Sequence, residues 1–231
     1  GDAEELKPVE NFLRQTPRSV EKVFLAINQE TDSAVAANYF RDLNLPRVEV
    51  VRIGFGGRFT PTLNHLVFAA AQAGFSHLLF CSPEVELTDE LLKRLLVQLD
   101  HDTLVAGAVL SGHDFRNGTA TGSGVTIPWN TLAVWNLRYL ALTGFMLVAD
   151  GIFDRAAAGV EELSTGCILQ SLYPKLKIKL VDLGKVKWSI GRLGDERIAA
   201  HIKKLASKQE RGQKQLELLG LAAPQVLHVI G

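Results

Sequence analysis

The sequence is poor in the residues that build disulfide frameworks and zinc sites. Its 231 residues include two cysteines, Cys81 and Cys167, which lie far apart in apolar surroundings. This pattern favours buried thiols in a reducing compartment over a disulfide-stabilised secreted scaffold. The chain also lacks any cluster of cysteine and histidine at the spacing of a metal site. Neither cysteine lies next to a base in the sequence, so neither is a candidate nucleophile.

The chain also lacks an excess of either charge and a long apolar run. Its 25 basic residues balance 25 acidic ones, so bulk electrostatics predict no nucleic-acid partner. The longest apolar stretch, residues 139–148, is interrupted by Thr143 and Gly144 and is too short to span a bilayer. The beginning of the sequence is acidic and lacks the apolar core of a signal peptide. We therefore expect a cytoplasmic protein without a transmembrane segment.

The chain does have a high apolar content, arranged as alternating strands and helices. Hydrophobic residues make up 47% of it, which is enough for a sizeable core. The pattern predicts strands at residues 22–27, 47–53, 78–81, 104–110 and 177–183. Helices are predicted between them, at residues 33–43, 60–74, 89–99 and 162–172. This alternation predicts an α/β fold whose mostly parallel sheet is flanked by helices.

The C-terminal part of the chain has a different composition. Residues 195–219 are rich in charged side chains and have only a sparse apolar stripe at helical spacing. We predict an α/β domain over residues 1–192 and a C-terminal helical extension over residues 193–231. The extension either docks on the domain or forms a homo-oligomer contact. A basic membrane-surface helix is the alternative, because Lys203, Lys204 and Lys208 cluster there.

The most informative stretch is Ser82-Pro83-Glu84-Val85-Glu86, between the apolar strand at residues 78–81 and a helix-start signal. Ligands of open α/β sheets bind beyond the carboxyl ends of strands. Glu84 and Glu86 would point the same way in an extended segment, because side chains alternate with a period of two. Together they could hold a hard cation and, through it, a phosphate-bearing substrate. The alternative is a pair of surface acids stabilised by the positive end of the next helix.

Two glycine-rich segments provide further candidates. Residues 111–130 form a polar loop about 20 residues long, and loops of this length are usually functional or disordered. Within it, His113 could complete a cation site or be solvated, and Trp129 could stack on a sugar or base or anchor the core. Residues 54–58 precede a helix and could cradle phosphate, with Arg58 contacting a diphosphate. They match neither the P-loop nor the dinucleotide-binding fingerprint, so a tight turn with Arg58 as a surface cation is the alternative.

Four stretches in this order resemble the nucleotide-sugar glycosyltransferases of the GT-A fold. They cover most of residues 23–183 and are Val23–Ile27 leading to Asn28 and Glu30, Thr62–Gly74 with Asn64, Leu78–Leu87, and Thr143–Val148 followed by Gly159–Glu162. The third stretch lies where that family has its acidic metal motif. The end of the fourth is similar to the acidic dyad that supplies the catalytic base in inverting members.

The resemblance implies a GT-A fold and transfer of a sugar from a nucleoside-diphosphate sugar to a hydroxyl acceptor, with inversion. It implies that Glu162 is the base, supported by Glu161, and that Glu84 holds Mn²⁺ or Mg²⁺, supported by Glu86. The metal would offset charge on the leaving diphosphate. Residues on the nucleotide and substrate side would be Asn28, Glu30, Arg58, Asn64 and Trp129.

The sequence departs from the family pattern in ways that support other functions. Ser82 occupies the first acidic position of the metal motif, and glutamates replace the usual aspartates. The nucleotide-binding region between Ile53 and Thr60 is short. These departures motivate the alternative of a degenerate, non-catalytic GT-A-fold protein that acts as a binding or assembly module. A nucleotidyltransferase is a third class, although the chain lacks a basic glycine-rich activation loop near its N-terminus.

Overall fold

The computed structural model describes residues 3–28, 33–54, 59–189, 203 and 205–231. The α-helices are α1 Ala3–Gln15, α2 Ser33–Asp42, α3 Phe59–Gln72, α4 Asp89–Leu96, α5 Leu137–Thr143, α6 Glu161–Leu172 and α7 Lys208–Leu219. The strands are β1 Val23–Asn28, β2 Val48–Ile53, β3 His77–Cys81, β4 Thr103–Ala108, β5 Gly118–Thr121, β6 Leu132–Asn136, β7 Lys177–Asp182 and β8 Gln225–Ile230. Short 3₁₀ helices lie at Leu147–Asp150 and Arg155–Ala157.

The α/β class predicted from the sequence is confirmed, but the prediction of a mostly parallel sheet is wrong. The main sheet has six strands in the order β3-β6-β4-β7-β8-β5 and is mixed. Parallel pairs join β4 to β7 and β7 to β8, whereas β6 runs antiparallel to both its neighbours and β5 antiparallel to β8. The polar loop at residues 111–130 reverses the chain before β6, so no helical crossover makes that connection parallel. Strands β1 and β2 form a separate parallel pair.

The core lies on both faces of the main sheet. All six residues of β4 are buried, which explains why its sequence is a continuous apolar run rather than an alternating one. One cluster packs helices α3, α5 and α6 on the sheet, and a second packs α4 on the other side. Gly107 of β4 lies so close to the segment before β6 that an added Cβ would be 2.6 Å from the Cβ of Pro128. This closeness keeps β6 next to β4.

Several elements were absent from the sequence-based assignment, and one of them, β5, lies inside the segment predicted to be a polar loop. Helix α1 occupies what looked like a polar lead-in, and β8 lies inside the main sheet between β7 and β5. Val226 and His228 of β8 are buried, so the C-terminal part of the chain supplies sheet as well as helix. Helix α7 docks on the rest of the chain through buried Gly212, Gln215 and Leu216. The boundary between residues 192 and 193 and the homo-oligomer contact stay predictions.

The length and apolarity of a helix decide whether it can cross a bilayer. Within the described ranges, no helix is long and apolar enough to cross a membrane.

The helix-start signal before α4 is confirmed, because the Thr88 hydroxyl oxygen accepts a hydrogen bond from the Leu91 N–H at 3.1 Å. This cap fixes where the segment that follows β3 ends.

Candidate functional site

Two strand ends meet at one edge of the main sheet. The Ser82 N–H, directly after β3, donates to the Thr131 carbonyl directly before β6 at 2.9 Å. This bond places the segment that carries Glu84 beside Asn130, the last residue of the long polar loop. The start of α6 lies against the same residue, and the candidate site is built around it.

Asn130 holds a pair of buried carboxylates. Glu161 and Glu162 begin α6 and are 4% and 3% exposed. The Asn130 backbone N–H donates to Glu162 Oε1 at 2.5 Å, and its side-chain Nδ2 donates to Glu161 Oε1 at 2.9 Å. Trp135 Nε1 donates to Asn130 Oδ1 at 2.8 Å and so fixes the amide orientation. The pair lies at the positive end of the α6 dipole, which favours negative charge there.

The Glu162 carboxyl combines burial with an oxygen that has no partner. Burial, and after it the nearby charge of Glu161, raise the pKa of Glu162 to about 7, while Lys208 and the Asn130 N–H act in the opposite direction. Within the described residues, Glu162 Oε2 is buried and has no hydrogen-bond partner. A carboxyl that titrates near neutral pH can accept a proton and release it again, as a general base requires.

Helix α7 brings basic side chains to the carboxylate pair. Arg211 Nη1 donates to the Ala158 carbonyl at 2.7 Å, two residues before the turn into α6. Burial lowers the pKa of Arg211, and the charges of Glu161 and Glu162 raise it, so the guanidinium and the carboxylates interact. Lys208 Nζ lies 4.0 Å from the centroid of the Trp129 ring. The first two turns of α7 therefore balance part of the buried negative charge.

Three residues of the site, Asn130, Lys208 and Arg211, are absent from the residues predicted from the sequence. Asn130 was only the last residue of a polar loop, and its contacts lie 31 and 32 residues away along the chain. Lys208 was mentioned only as part of a basic cluster, and Arg211 was not mentioned. The signal that points to them is spatial, since a buried pair of acids requires donors and cations nearby.

Trp129 and His113 are packed together rather than exposed to a ligand. Trp129 is 1% exposed, donates from Nε1 to the Gly124 carbonyl at 2.9 Å, and stacks on His113 at 3.7 Å between ring centroids. His113 Nδ1 accepts the Leu110 N–H at 2.9 Å, and Nε2 is 3.0 Å from the Ile127 carbonyl. Burial lowers the pKa of His113 to about 3, so the ring is neutral at pH 7. Its two nitrogens connect the backbone at Leu110 to the backbone at Ile127 across the loop.

Glu84 and Glu86 line one small cavity, but the segment is not extended as predicted, because the Val85 N–H donates to the Ser82 carbonyl at 3.0 Å and makes a turn at Glu84. Val85 between them is buried, Glu84 is half-buried and Glu86 is exposed. The segment is fixed by antiparallel pairing with residues 187–189, including a bond from the Glu86 N–H to the Lys187 carbonyl at 3.0 Å. The Ser82 hydroxyl donates to Glu84 Oε2, and Lys187 Nζ lies 3.2 Å from Glu86.

The remaining predicted ligands are spread over the structure. Asn64 of α3 bonds to the Phe145 backbone twice, from Nδ2 to the carbonyl at 3.0 Å and from the N–H to Oδ1 at 2.6 Å. Asn28 ends β1, and only its backbone is described. Glu30 and Arg58 lie outside the described residues. The structure therefore brings Glu161 and Glu162 together and gives Asn64 a fold-supporting contact.

The candidate metal ligands are better suited to an ion that arrives bound to a substrate than to a metal site formed by the protein alone. In the described part of the chain, no group of three or more histidine, cysteine, aspartate or glutamate side chains could hold a metal. Glu86 already pairs with Lys187, and both ring nitrogens of His113 contact the backbone. Glu84 has no ion pair among the described residues. One carboxylate is sufficient when substrate phosphates supply other ligands to Mg²⁺.

No protein-family model matches this chain, and no curated protein matches it significantly. The glycosyltransferase resemblance therefore rests on the four sequence stretches alone. The features of the site that bear on function are the buried carboxylate pair and the basic side chains around it.

Proposed function

We propose that this protein is a glycosyltransferase that moves a sugar from a nucleoside-diphosphate sugar to a hydroxyl acceptor with inversion. The observation that carries the proposal is the Glu162 carboxyl. It is buried, its pKa is raised to about 7, and its Oε2 has no partner among the described residues. A general base works best when its pKa lies near the working pH.

In this proposal Glu162 removes the proton of the acceptor hydroxyl. The acceptor oxygen attacks the anomeric carbon of the donor sugar as the bond from that carbon to the diphosphate oxygen breaks. The electron pair of that bond leaves with the nucleoside diphosphate, and the proton stays on Glu162 until solvent takes it. Asn130 keeps Glu162 in place through the bond to Oε1, and Glu161 raises its affinity for the proton.

Glu84 is the residue of this chain that would contact a Mn²⁺ or Mg²⁺ ion brought by the donor. Such an ion offsets negative charge on the leaving diphosphate. The contribution of the chain is to hold the Glu84 segment rigid at the end of β3, through its pairing with residues 187–189. Arg58 and Glu30, predicted on the donor side, belong to the proposal on sequence grounds alone.

The test is the Glu162→Gln variant in an assay that measures release of nucleoside diphosphate from a panel of nucleotide sugars with alcohol acceptors. Glutamine keeps the oxygen that accepts the Asn130 N–H but cannot take a proton. We expect the rate to fall by about 10²–10⁴-fold, the range of general-base catalysis. Glu90→Gln, an exposed acid on α4, is the matched control and should leave the rate unchanged. An unchanged rate in Glu162→Gln would remove the base assignment.

A second candidate function is a non-catalytic binding or assembly module of the same fold. It is favoured because the predicted ligand side chains already make contacts within the protein. Glu86 pairs with Lys187, His113 and Asn64 bond to the backbone, and Trp129 is buried. Each of these side chains would have to give up a contact before it could bind a donor.

A thermal-shift screen of nucleoside diphosphates and their sugars, with Mn²⁺ and with a chelator, separates the two functions. A ligand at 100 times its dissociation constant adds about 2.7 kcal/mol to the free energy of unfolding. For a chain of this size the melting temperature should rise by roughly 5–10 °C. A transferase should show this shift with one nucleotide class and lose it in chelator. Unchanged melting across the panel would favour the module.

A further inference from the structure

Two open strand edges face a cavity between the two sheets. Among the described strands, β1 pairs only with β2, and β3 pairs only with β6. The cavity beside these edges has a volume of about 390 Å³. Its lining is mainly apolar and comes from α1, β1, α3, β3, α4 and β6, through residues such as Leu13, Leu25, Leu66, Leu79, Leu92 and Val134. Its volume and apolar lining are typical of a small-molecule site.

The apolar cavity has a polar end. A second cavity of about 120 Å³ shares the lining residues Phe12, Thr16, Pro83 and Leu87 with the first, so the two adjoin. The second cavity is also lined by Glu84, Glu86, Ser189 and side chains of α1. The mainly apolar cavity therefore lies next to a smaller one that both carboxylates line.

The charges at the polar end favour a cationic group. Lys187 pairs with Glu86 at 3.2 Å and offsets one of the two negative charges. Glu84 is half-buried, and its described partner is the neutral hydroxyl of Ser82. One negative charge therefore remains at Glu84. An anionic head group would be repelled there, whereas an ammonium group would gain a charge-assisted hydrogen bond.

We propose that the joined cavities bind a single-chain aliphatic amine, with the chain between β1 and β3 and the ammonium group at Glu84. The apolar volume has room for about a dozen heavy atoms, if each takes the roughly 30 Å³ of a water molecule in the liquid. A chain of about that length removes its apolar surface from water, which drives binding. The site requires no nucleotide and no metal, so it does not depend on the proposed sugar transfer.

The first experiment is calorimetric titration of the full chain at pH 7 with decylamine, decan-1-ol and decanoate, each below its micelle concentration and without nucleotide or metal. The three ligands share one chain length and differ in the charge of the head group. Decylamine should bind most tightly and decanoate most weakly. Failure of decylamine to bind, or equal binding of decanoate, would overturn the proposal.

Two variants locate the ligand. Glu84→Gln keeps the oxygen that accepts the Ser82 hydroxyl but removes the charge, so decylamine should bind about tenfold more weakly and decan-1-ol equally well. Glu90→Gln, outside both cavities, is the control for net charge and should change neither affinity. Equal weakening by the two glutamine variants would contradict the ammonium position.

Leu25→Trp tests the chain position. Leu25 lines the cavity from β1 and is only half-buried, so the backbone can accept a larger side chain there. The indole would occupy part of the apolar space and should weaken decylamine and decan-1-ol alike. Unchanged affinity for both in a folded Leu25→Trp protein would overturn the position between β1 and β3. If this variant fails to fold, the ligand series and Glu84→Gln still decide the proposal.

Discussion

At the scale of single residues, Glu162 makes the stability of the protein depend on pH. Its folded-state pKa of about 7 lies above the ordinary value of 4.5. Between these values the unfolded chain has lost the proton and the folded one has kept it, so stability falls as pH rises. Each pH unit in this window lowers the free energy of unfolding by about 1.4 kcal/mol. The same burial that prepares a base therefore destabilises the fold above neutral pH.

His113 changes the stability of the protein with pH in the opposite direction, over a pH range that overlaps that of Glu162. Its folded-state pKa of about 3 lies below the ordinary value of 6.5, because the ring is buried and the positive charge of Lys208 is nearby. Below pH 6.5 the unfolded chain gains a proton that the folded one excludes, so stability falls as pH falls. Between about pH 5 and 6.5 the contributions of His113 and Glu162 should cancel.

This cancellation gives a prediction for two variants measured by urea unfolding at pH 5.0, 5.75 and 6.5. In the wild-type protein, these two groups together should change the free energy of unfolding little between these pH values. Glu162→Gln should become more stable with rising pH, by about 1.4 kcal/mol per unit, and His113→Asn less stable by a similar amount. Asparagine keeps an oxygen near the position of Nδ1 to accept the Leu110 N–H. Variants whose stability has the same slope as the wild type would contradict both assignments.

At the scale of elements, a buried amide contributes to the attachment of α7. Gln215 is fully buried and donates from Nε2 to the Ala157 carbonyl at 2.7 Å and to the Gly159 carbonyl. Gln213 lies two residues earlier on the same helix and is exposed. These two glutamines form a matched pair, because replacing either by alanine has the same effect on helix propensity.

Gln215→Ala leaves two carbonyls without their donor, and we expect it to lower the free energy of unfolding by about 2–3 kcal/mol. Gln213→Ala should change it by less than about 0.5 kcal/mol, as is usual for an exposed position. Urea unfolding of both variants measures the difference. Equal losses would mean that α7 does not depend on its contact with the segment before α6.

The elements that the sequence predicted well are those with strong local patterns. The continuous apolar run of β4, the capping signal at Thr88 and the apolar spacing of α3 all correspond to observed structure. Helix α1 was missed because its charged surface and internal Pro8 hide its apolar face. Strand β8 was missed because it follows a long polar helix, although four of its six residues are apolar.

The candidate site could be predicted only in part, for a related reason. Glu161 and Glu162 were predicted only through their resemblance to a known dyad, and the structure places them at the start of α6. Asn130 and Arg211 belong to segments distant in sequence, and a local pattern contains no information about which distant segment will contact a buried acid. The roles of Glu84, Glu86 and His113 as metal ligands stay predictions.

At the scale of the whole molecule, β8 decides whether residues 1–192 can fold alone. It lies between β7 and β5, and it is the described pairing partner of β5. A chain that ends at residue 192 would expose the edge of β7 along its length and leave β5 unpaired. It would also lose the buried side chains of Val226 and His228 and the contacts of α7 with the start of α6.

We therefore expect the 1–192 chain to lack a cooperative thermal transition, whereas the full chain melts cooperatively. Circular dichroism during heating, with tryptophan fluorescence as a second probe, measures this difference. Val226→Ala in the full chain isolates the contribution of the strand and should lower the free energy of unfolding by about 1–3 kcal/mol, while the exposed Ile230→Ala should have little effect. A cooperative transition in the 1–192 chain would show instead that β8 and α7 are an appendage, because the core would then be complete without them.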